Sequence, residues 1–80
     1  MPRPSNLTGA NLTGANLTDA DLKNAVLTDA NLTSANLTHT DLKDAIGMAS
    51  ATLTGAIWDQ TICPDKTKSK KDGGTCLGHL

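Results

Sequence analysis

Residues 6–44 read NLTGA NLTGA NLTDA DLKNA VLTDA NLTSA NLTHT DLKD, a tandem repeat with a period of five. Leucine is the second residue of all eight units, and alanine is the fifth residue of six of the seven complete units, with Thr40 as the exception. The other slots hold mostly Asn, Asp, Thr, Lys, Ser and Gly, which are polar or suited to turns. A repeat this regular is the first feature that a fold must explain.

A period of five fits neither the α-helix, with about 3.6 residues per turn, nor the β-strand, with a period of 2. On a helix, the leucines would rotate by about 140° per unit and form no apolar face. On a straight strand they would alternate between faces, because five is odd. A corner of about 90° in every unit would instead aim every leucine at one axis, and four units would close a square turn of about twenty residues. The sequence therefore predicts an all-β solenoid.

The units Ala10-Asn11-Leu12-Thr13-Gly14 and Ala20-Asp21-Leu22-Lys23-Asn24 resemble the pentapeptide repeat family, whose consensus is Ala-(Asp/Asn)-Leu followed by two variable residues. The resemblance covers residues 5–63. It implies a right-handed quadrilateral parallel β-helix with Leu or Phe inside, of about three coils here, and a C-terminal capping tail. It implies no particular activity.

The first coil is predicted at residues 5–24 and the second at 25–44, so that residues twenty apart stack at about the 4.8 Å spacing of strands. After Ala45 the next leucine slot holds Gly47, and the pattern returns one residue later at Met48. We interpret this as one extra residue near 45–47, absorbed as a bulge at a corner, where glycine is permissive. The predicted inward core is Leu7, Leu12, Leu17, Leu22, Leu27, Leu32, Leu37, Leu42, Met48, Leu53 and Trp58, with Cys63 completing the last column.

The chain divides into a loose lead-in at residues 1–4, the repeat domain at 5–63, and a C-terminal loop and cap at 64–80. Pro64 is expected to end strand pairing. The Lys-rich middle of the tail is typical of a solvent-exposed loop, and Leu77 and Leu80 are predicted to fold back as a lid over the last coil. Trp58, the one bulky inward residue, is predicted to plug that end rather than to offer a stacking platform for a ligand.

Cys63 and Cys76 flank the long loop, and two hypotheses remain open for them. A disulfide would contribute about 3 kcal/mol by the chain-entropy estimate. Alternatively, both are free thiols, one buried and one exposed. We favour the disulfide, which would indicate the periplasm, a thylakoid lumen or the outside of the cell rather than a bacterial cytoplasm. No signal peptide is visible before the repeat.

Candidate reactive groups are few. His39 and His79 are the only histidines, and neither has partners at the spacing of a metal site. Asp19, Asp29 and Asp59 are interpreted as sharing one outward slot of the repeat, and Asp21 and Asp41 another. Outward aspartates usually solvate a surface or accept a bond from a turn amide. We therefore predict no catalytic residue, no metal site and no cofactor.

The formal net charge of −1 is too small to favour nucleic acid or a membrane surface as a partner. We predict a non-catalytic structural or protein-interaction module, as a monomer or weak end-to-end dimer. The alternative comes from the family resemblance, since some pentapeptide repeat proteins mimic DNA and bind DNA gyrase. Against it, this chain is shorter, close to neutral, and shows no C-terminal helix for building a long dimer.

Overall fold

The computed structural model describes residues 5–70 and 73–80, so the predicted lead-in at 1–4 lies outside the described residues. Single-residue parallel bridges join positions twenty apart: Asn6–Val26, Asn11–Asn31, Asn16–Asn36, Asp21–Asp41 and Val26–Ile46. The described residues contain one helix, the 3₁₀ helix Met48–Ser50, and their pairing consists of these isolated bridges rather than longer strands. The chain therefore stacks on itself as a solenoid. We call residues 5–24, 25–44 and 45–65 its first, second and third layers.

From residue 6 to residue 56, each unit turns its corner through a hydrogen bond from the amide of its last residue, an alanine or Thr40, to the carbonyl of the inward residue three positions earlier, as from Ala10 N to Leu7 O at 2.9 Å. In the unit of Trp58, the hydroxyl of Ser69 bridges the two groups instead. The residue before the alanine has a positive φ, which is 67° at Gly9 and 62° at Asp19. Positive φ at this place in a turn suits Gly, Asn and Asp, and Asn and Asp recur there in the repeat. Because five is odd, the leucines would alternate between faces on a straight strand, and a turn in every unit keeps them on the same side.

The layers are joined by backbone hydrogen bonds that repeat in every unit. Leu7 N donates to Val26 O at 2.7 Å, and Val26 N donates back to Ser5 O at 2.8 Å. The same pattern joins the third layer to the second. At its end, Pro64 O still accepts a bond from Asp44 N at 3.0 Å, so pairing includes this proline, which we had expected to end it.

The extra residue of the third layer lies between Ile46 and Thr52. Val26 pairs with Ile46, twenty residues on, whereas Asn31 pairs with Thr52, twenty-one residues on. The intervening chain forms the 3₁₀ helix Met48–Ser50, preceded by Gly47 at φ 85°. The insertion is thus accommodated as a tight helical turn at the corner, with Met48 still fully buried.

The core is a set of stacked side-chain columns, and it is best enclosed in the second layer. Leu27, Leu32, Leu37 and Leu42 are at most 1% exposed. In the first layer Leu22 is buried, while Leu7, Leu12 and Leu17 are partly buried against the cluster. In the third layer Met48, Trp58 and Cys63 are buried and Leu53 is partly buried. The middle layer is most enclosed because it has a neighbour on both sides.

Thr40, the exception in the alanine slot, is fully buried and donates its hydroxyl to Leu17 O at 2.7 Å. Thr61 lies one layer higher and does the same to Leu37 O, also at 2.7 Å. Each hydroxyl is satisfied by a carbonyl of the layer below, which removes the penalty for burying it.

The tail folds over the third layer, but not through Leu77, which is 53% exposed. The prediction that Leu77 belongs to the lid is therefore wrong, whereas Leu80 packs against the core as predicted. Cys76 and Ser69, both fully buried, take the place assigned to Leu77. The reason is covalent: the bond to Cys63 draws Cys76 inward, and the next side chain points away.

Candidate functional site: the outward faces and the third-layer groove

The outward surface is lined by asparagines whose side chains are bonded to their own turn. Asn11 Oδ1 accepts a bond from Thr13 N at 3.2 Å and another from Thr13 Oγ1 at 2.7 Å. The same pair of bonds forms at Asn6, Asn16, Asn31 and Asn36. The repeat thus produces a polar surface whose side chains are held in place before any partner binds.

Acidic and histidine side chains on these faces do not converge on a site. Asp21 and Asp41 stack, but each carboxylate accepts a backbone amide two residues on, at 3.1 and 3.0 Å. His39 Nδ1 lies 3.4 Å from Asp19 Oδ1, with both side chains at least half exposed. Within residues 5–70 and 73–80, no group of three His, Cys, Asp or Glu could hold a metal ion.

Asp59 does not share a slot with Asp19 and Asp29, so that interpretation was wrong. Asp19 and Asp29 have positive φ, at 62° and 59°, as the fourth residues of their units. In the third layer it is Gln60 that has positive φ, at 52°, and Asp59 O accepts a bond from His39 N at 2.8 Å. Asp59 is the third residue of its unit, directly after the inward Trp58.

The tail is fastened to the third layer by a disulfide between Cys63 and Cys76, with 5.4 Å between their Cα atoms. Both residues are fully buried. The disulfide that we favoured from the sequence is confirmed, and the free-thiol alternative is not observed. It closes the loop that contains Lys66, Lys68 and Lys70.

Ser69 makes the second attachment, which the sequence did not indicate. Its amide donates to Thr61 O at 2.8 Å, and its hydroxyl oxygen accepts a bond from Thr61 N at 3.0 Å. The same hydroxyl donates to the carbonyl of Trp58. Beside it, Lys68 forms an antiparallel bridge with Ile62. A serine within a Lys-rich loop carries no sequence signal that would separate this buried role from an exposed one.

Asp65 and His79 form a third attachment near the chain end, with 2.6 Å between Asp65 Oδ2 and His79 Nδ1. Thr67 donates to the other carboxylate oxygen from its amide, at 3.1 Å, and from its hydroxyl, at 2.5 Å. The hydrogen bond from the Thr67 hydroxyl is the main cause that lowers the pKa of Asp65, and the bond and charge of His79 add to it against partial desolvation. The contact joins Asp65, at the end of the third layer, to His79 near the end of the tail, and so holds the tail in place.

A groove of about 550 Å³ opens between the third layer and the tail. Its lining residues are Ile57, Trp58, Asp59, Gln60, Lys70 and Gly74. Ile57 contributes an apolar side chain that is 49% exposed, whereas Trp58 is only 6% exposed. The indole ring is therefore part of the core and not a platform for stacking. This volume is within the size range of small-ligand sites.

The pentapeptide repeats family model matches residues 5–44 in eight copies. Among solved structures, the chain is similar to HetL, a pentapeptide repeat protein involved in heterocyst differentiation regulation from the cyanobacterium Nostoc sp. strain PCC 7120. The identity is 32%, the TM-score is 0.61, and the match covers 81% of this chain and 32% of HetL. The chain thus spans about a third of the length of that relative.

A pentapeptide repeat protein from the Arabidopsis thaliana thylakoid lumen matches at 26% identity over 94% of this chain and 59% of its own, with a TM-score of 0.33. The search of the curated proteins returned no match. In the described part of the chain, the single short helix cannot cross a membrane.

Pentapeptide repeat proteins of known structure fold as right-handed β-helices. The family match covers half of the chain, and the twenty-residue stacking, the turn in each unit and the inward leucines are all present in the structure. This chain belongs to the pentapeptide repeat family.

Proposed function

We propose that this chain is a non-catalytic protein-interaction module, built as three coils of a right-handed quadrilateral β-helix. The observation that carries the proposal is the pre-ordered outward surface. The carboxamide oxygen of each asparagine that precedes an inward leucine is bonded twice to its own turn, as at Asn31, where Thr33 donates from its amide at 3.1 Å and its hydroxyl at 2.6 Å. Binding by such a surface loses little side-chain entropy, because the side chains are already immobilised.

The chemistry of the surface favours a protein over nucleic acid or a membrane as the partner. The formal net charge of −1 provides no electrostatic attraction for a polyanion, and basic side chains are interspersed with acidic ones, as at Lys23 with Asp21 and Lys66 with Asp44. The exposed amides and hydroxyls suit the polar, hydrated contacts of a transient protein interface.

The disulfide supports residence in an oxidising compartment, since such bonds persist there and are rare in a reducing cytosol.

For assembly, we propose a monomer or a weak end-to-end dimer. The support is the first layer, where Leu7, Leu12 and Leu17 are only partly buried and could gain contacts from a second molecule.

The module can be tested with four matched arginine substitutions, one on each outward column of the second layer. Asp29, Ser34, His39 and Asp44 are all exposed, and their φ angles lie between 54° and 59°. Each variant carries an affinity tag and is cross-linked to proteins of the source cell. We expect one of the four variants, or two whose substitutions lie on adjacent columns, to lose capture of a given partner. The melting temperature of each variant should stay within about 4 °C of that of the parent protein. Equal capture by all four variants would contradict the proposal.

DNA gyrase is the second candidate, and no contact in the structure favours it. It is tested separately by a supercoiling assay at micromolar protein. Relief or inhibition of gyrase that disappears in the Asp29→Arg or Asp44→Arg variant would support DNA mimicry, because mimicry depends on negative charge. An unchanged supercoiling rate would remove that candidate and leave the protein-interaction proposal standing.

A further inference from the structure

Apart from the extra residue of the third layer, each layer consists of four five-residue units, and the stacked units form four columns. At the end of the third layer, the backbone edge is open on the second and third of these columns. In the layer below, Leu32 N, Ser34 N, Leu37 N and His39 N each donate to a carbonyl of the third layer at 2.8 Å. The corresponding donors one layer higher are Leu53 N, Gly55 N, Trp58 N and Gln60 N. In residues 5–70 and 73–80 these four amides have no hydrogen-bond partner.

The other two columns are already closed. Above Ile62, the tail occupies the place of a fourth layer: Lys68 bridges to Ile62, and Ser69 N donates to Thr61 O at 2.8 Å. At the first column, the 3₁₀ helix Met48–Ser50 replaces the extended edge. The open edge is therefore confined to residues 52–60.

The tail also shows that this edge accepts an added segment. Residues 67–69 pair with the third layer in the antiparallel direction, through Cys63 N to Thr67 O at 2.7 Å and the bonds of Ser69. A short extended piece of chain thus satisfies the same kind of donors on the neighbouring column. Beside it lies the groove of about 550 Å³, which is lined by residues 57–60 of the third layer and by Lys70 and Gly74 of the tail.

We infer that the groove between the third layer and the tail binds an extended peptide segment of a partner protein, which pairs with the open edge at residues 52–60. This inference rests on the proposed protein-interaction function and names the form of the partner. Main-chain bonds to the free amides provide the affinity, as in other cases of strand addition to an exposed edge. A β-branched or aromatic side chain of the segment packs beside Ile57, which is 49% exposed.

A second copy of the chain fits this end less well than a single segment does. A stacked copy would have to pair its first layer with all four columns at about 4.8 Å. The tail stands in that space above Ile62, whereas a single strand needs only the second and third columns.

Charge also restricts the segment, because Lys70 and Asp59 face the groove and favour a segment with an acidic and a basic residue at its ends.

The test uses the disulfide-bonded protein and a blocked heptapeptide, acetyl-Glu-Thr-Val-Thr-Val-Thr-Lys-amide, as the probe. Binding is followed by two-dimensional amide NMR and hydrogen exchange. We expect saturable shifts and at least about tenfold slower exchange at Leu53, Gly55, Trp58 and Gln60. The amides of Asn11 and Asn16, at the opposite end, serve as the internal control and should not respond. A control peptide with proline in place of the central threonine should not bind, because proline lacks a donor and disrupts pairing.

Ile57→Lys and Ile46→Lys form a matched pair of variants. Both isoleucines are outward, at 49% and 56% exposure, and occupy the same slot, but only Ile57 lines the groove. We expect Ile57→Lys to weaken peptide binding about tenfold and Ile46→Lys to change it less than about twofold. Equal effects of the two variants would overturn the inference.

Two further outcomes would overturn it. One is the absence of saturable binding at millimolar peptide. The other is concentration-dependent dimerisation that protects the same four amides without added peptide, which would identify a second copy as the occupant. In either case, loss of partner capture in an outward-face variant such as Ser34→Arg would still support the proposed function, so the two failures are distinguishable.

Discussion

Gly47 is the residue at which the repeat gains one position, and its replacement should be unusually costly. Its φ is 85°, and a Cβ built on it would lie 2.2 Å from Thr28 Oγ1 and 2.6 Å from Thr28 N. The Thr28 hydroxyl could rotate away, but the amide nitrogen belongs to the second layer and cannot. Gly14 provides the matched control, because its φ of 68° is similar and nothing lies within 4 Å of its added Cβ.

The expected loss of unfolding free energy has two causes, backbone strain and steric overlap, which can be estimated separately. Left-handed backbone costs a non-glycine residue about 1 to 2 kcal/mol at either site. Gly47→Ala adds the cost of overpacking against fixed backbone, about 1 to 3 kcal/mol. We therefore expect its free energy of unfolding to fall by about 2 kcal/mol more than that of Gly14→Ala. For a domain of this size, that difference corresponds to about 8 to 16 °C in melting temperature.

The assay is urea and thermal unfolding monitored by circular dichroism, with the disulfide intact in all variants. Asparagine distinguishes strain from collision, since it tolerates positive φ but carries a Cβ. Gly14→Asn should be nearly neutral, while Gly47→Asn should be as damaging as Gly47→Ala. If Gly47→Ala is no less stable than Gly14→Ala, the close approach to Thr28 is refuted as the reason for glycine here.

Four other perturbations have defined outcomes. Leu37→Ala, at a fully buried site, should lower the free energy of unfolding by about 2 to 5 kcal/mol in urea titrations, and an unchanged midpoint would contradict its inward position. Reduction of Cys63–Cys76 should cost about 3 kcal/mol, measured by the melting temperature with and without reductant. Ser69→Ala should cost about 1 to 3 kcal/mol and speed hydrogen exchange at Thr61 N, because two buried groups lose their partner; equal exchange would refute this. The lowered pKa of Asp65 means that its contribution to stability is present above about pH 4 and is lost as pH falls through its folded pKa; Asp65→Asn should flatten that acid limb of the unfolding curve.

The period of five was sufficient to predict the stacking of the first two layers, because one leucine per unit leaves few ways to bury them all. Gly47 and the return of the pattern at Met48 also located the extra residue. The form of that insertion could not be read, since a bulge and a 3₁₀ turn both add one residue and both accept glycine. The folded backbone resolves it as the 3₁₀ helix Met48–Ser50, preceded by Gly47 at φ 85°.

The candidate site was much less predictable than the fold. The outward asparagines recur in the repeat and were visible in the sequence, whereas the buried role of Ser69 depends on where the disulfide places the tail. Leu77 was expected in the lid because it is hydrophobic, but the buried neighbour is Cys76 and Leu77 is exposed. Ile57 replaces the asparagine of the repeat with an apolar residue beside the groove, but Val26, Ile46 and Ile62 do the same elsewhere, so this replacement did not locate the groove.

The leucines point inward because the chain pairs with itself every twenty residues and then, past Gly47, every twenty-one. Scalar couplings across hydrogen bonds measure that pairing directly in isotope-labelled protein. The structure predicts a coupling from Leu12 N to the carbonyl of Asn31 and from Leu32 N to the carbonyl of Thr52. A coupling from Leu32 N to the carbonyl of Ala51, or couplings between residues four apart as in a helix, would contradict it.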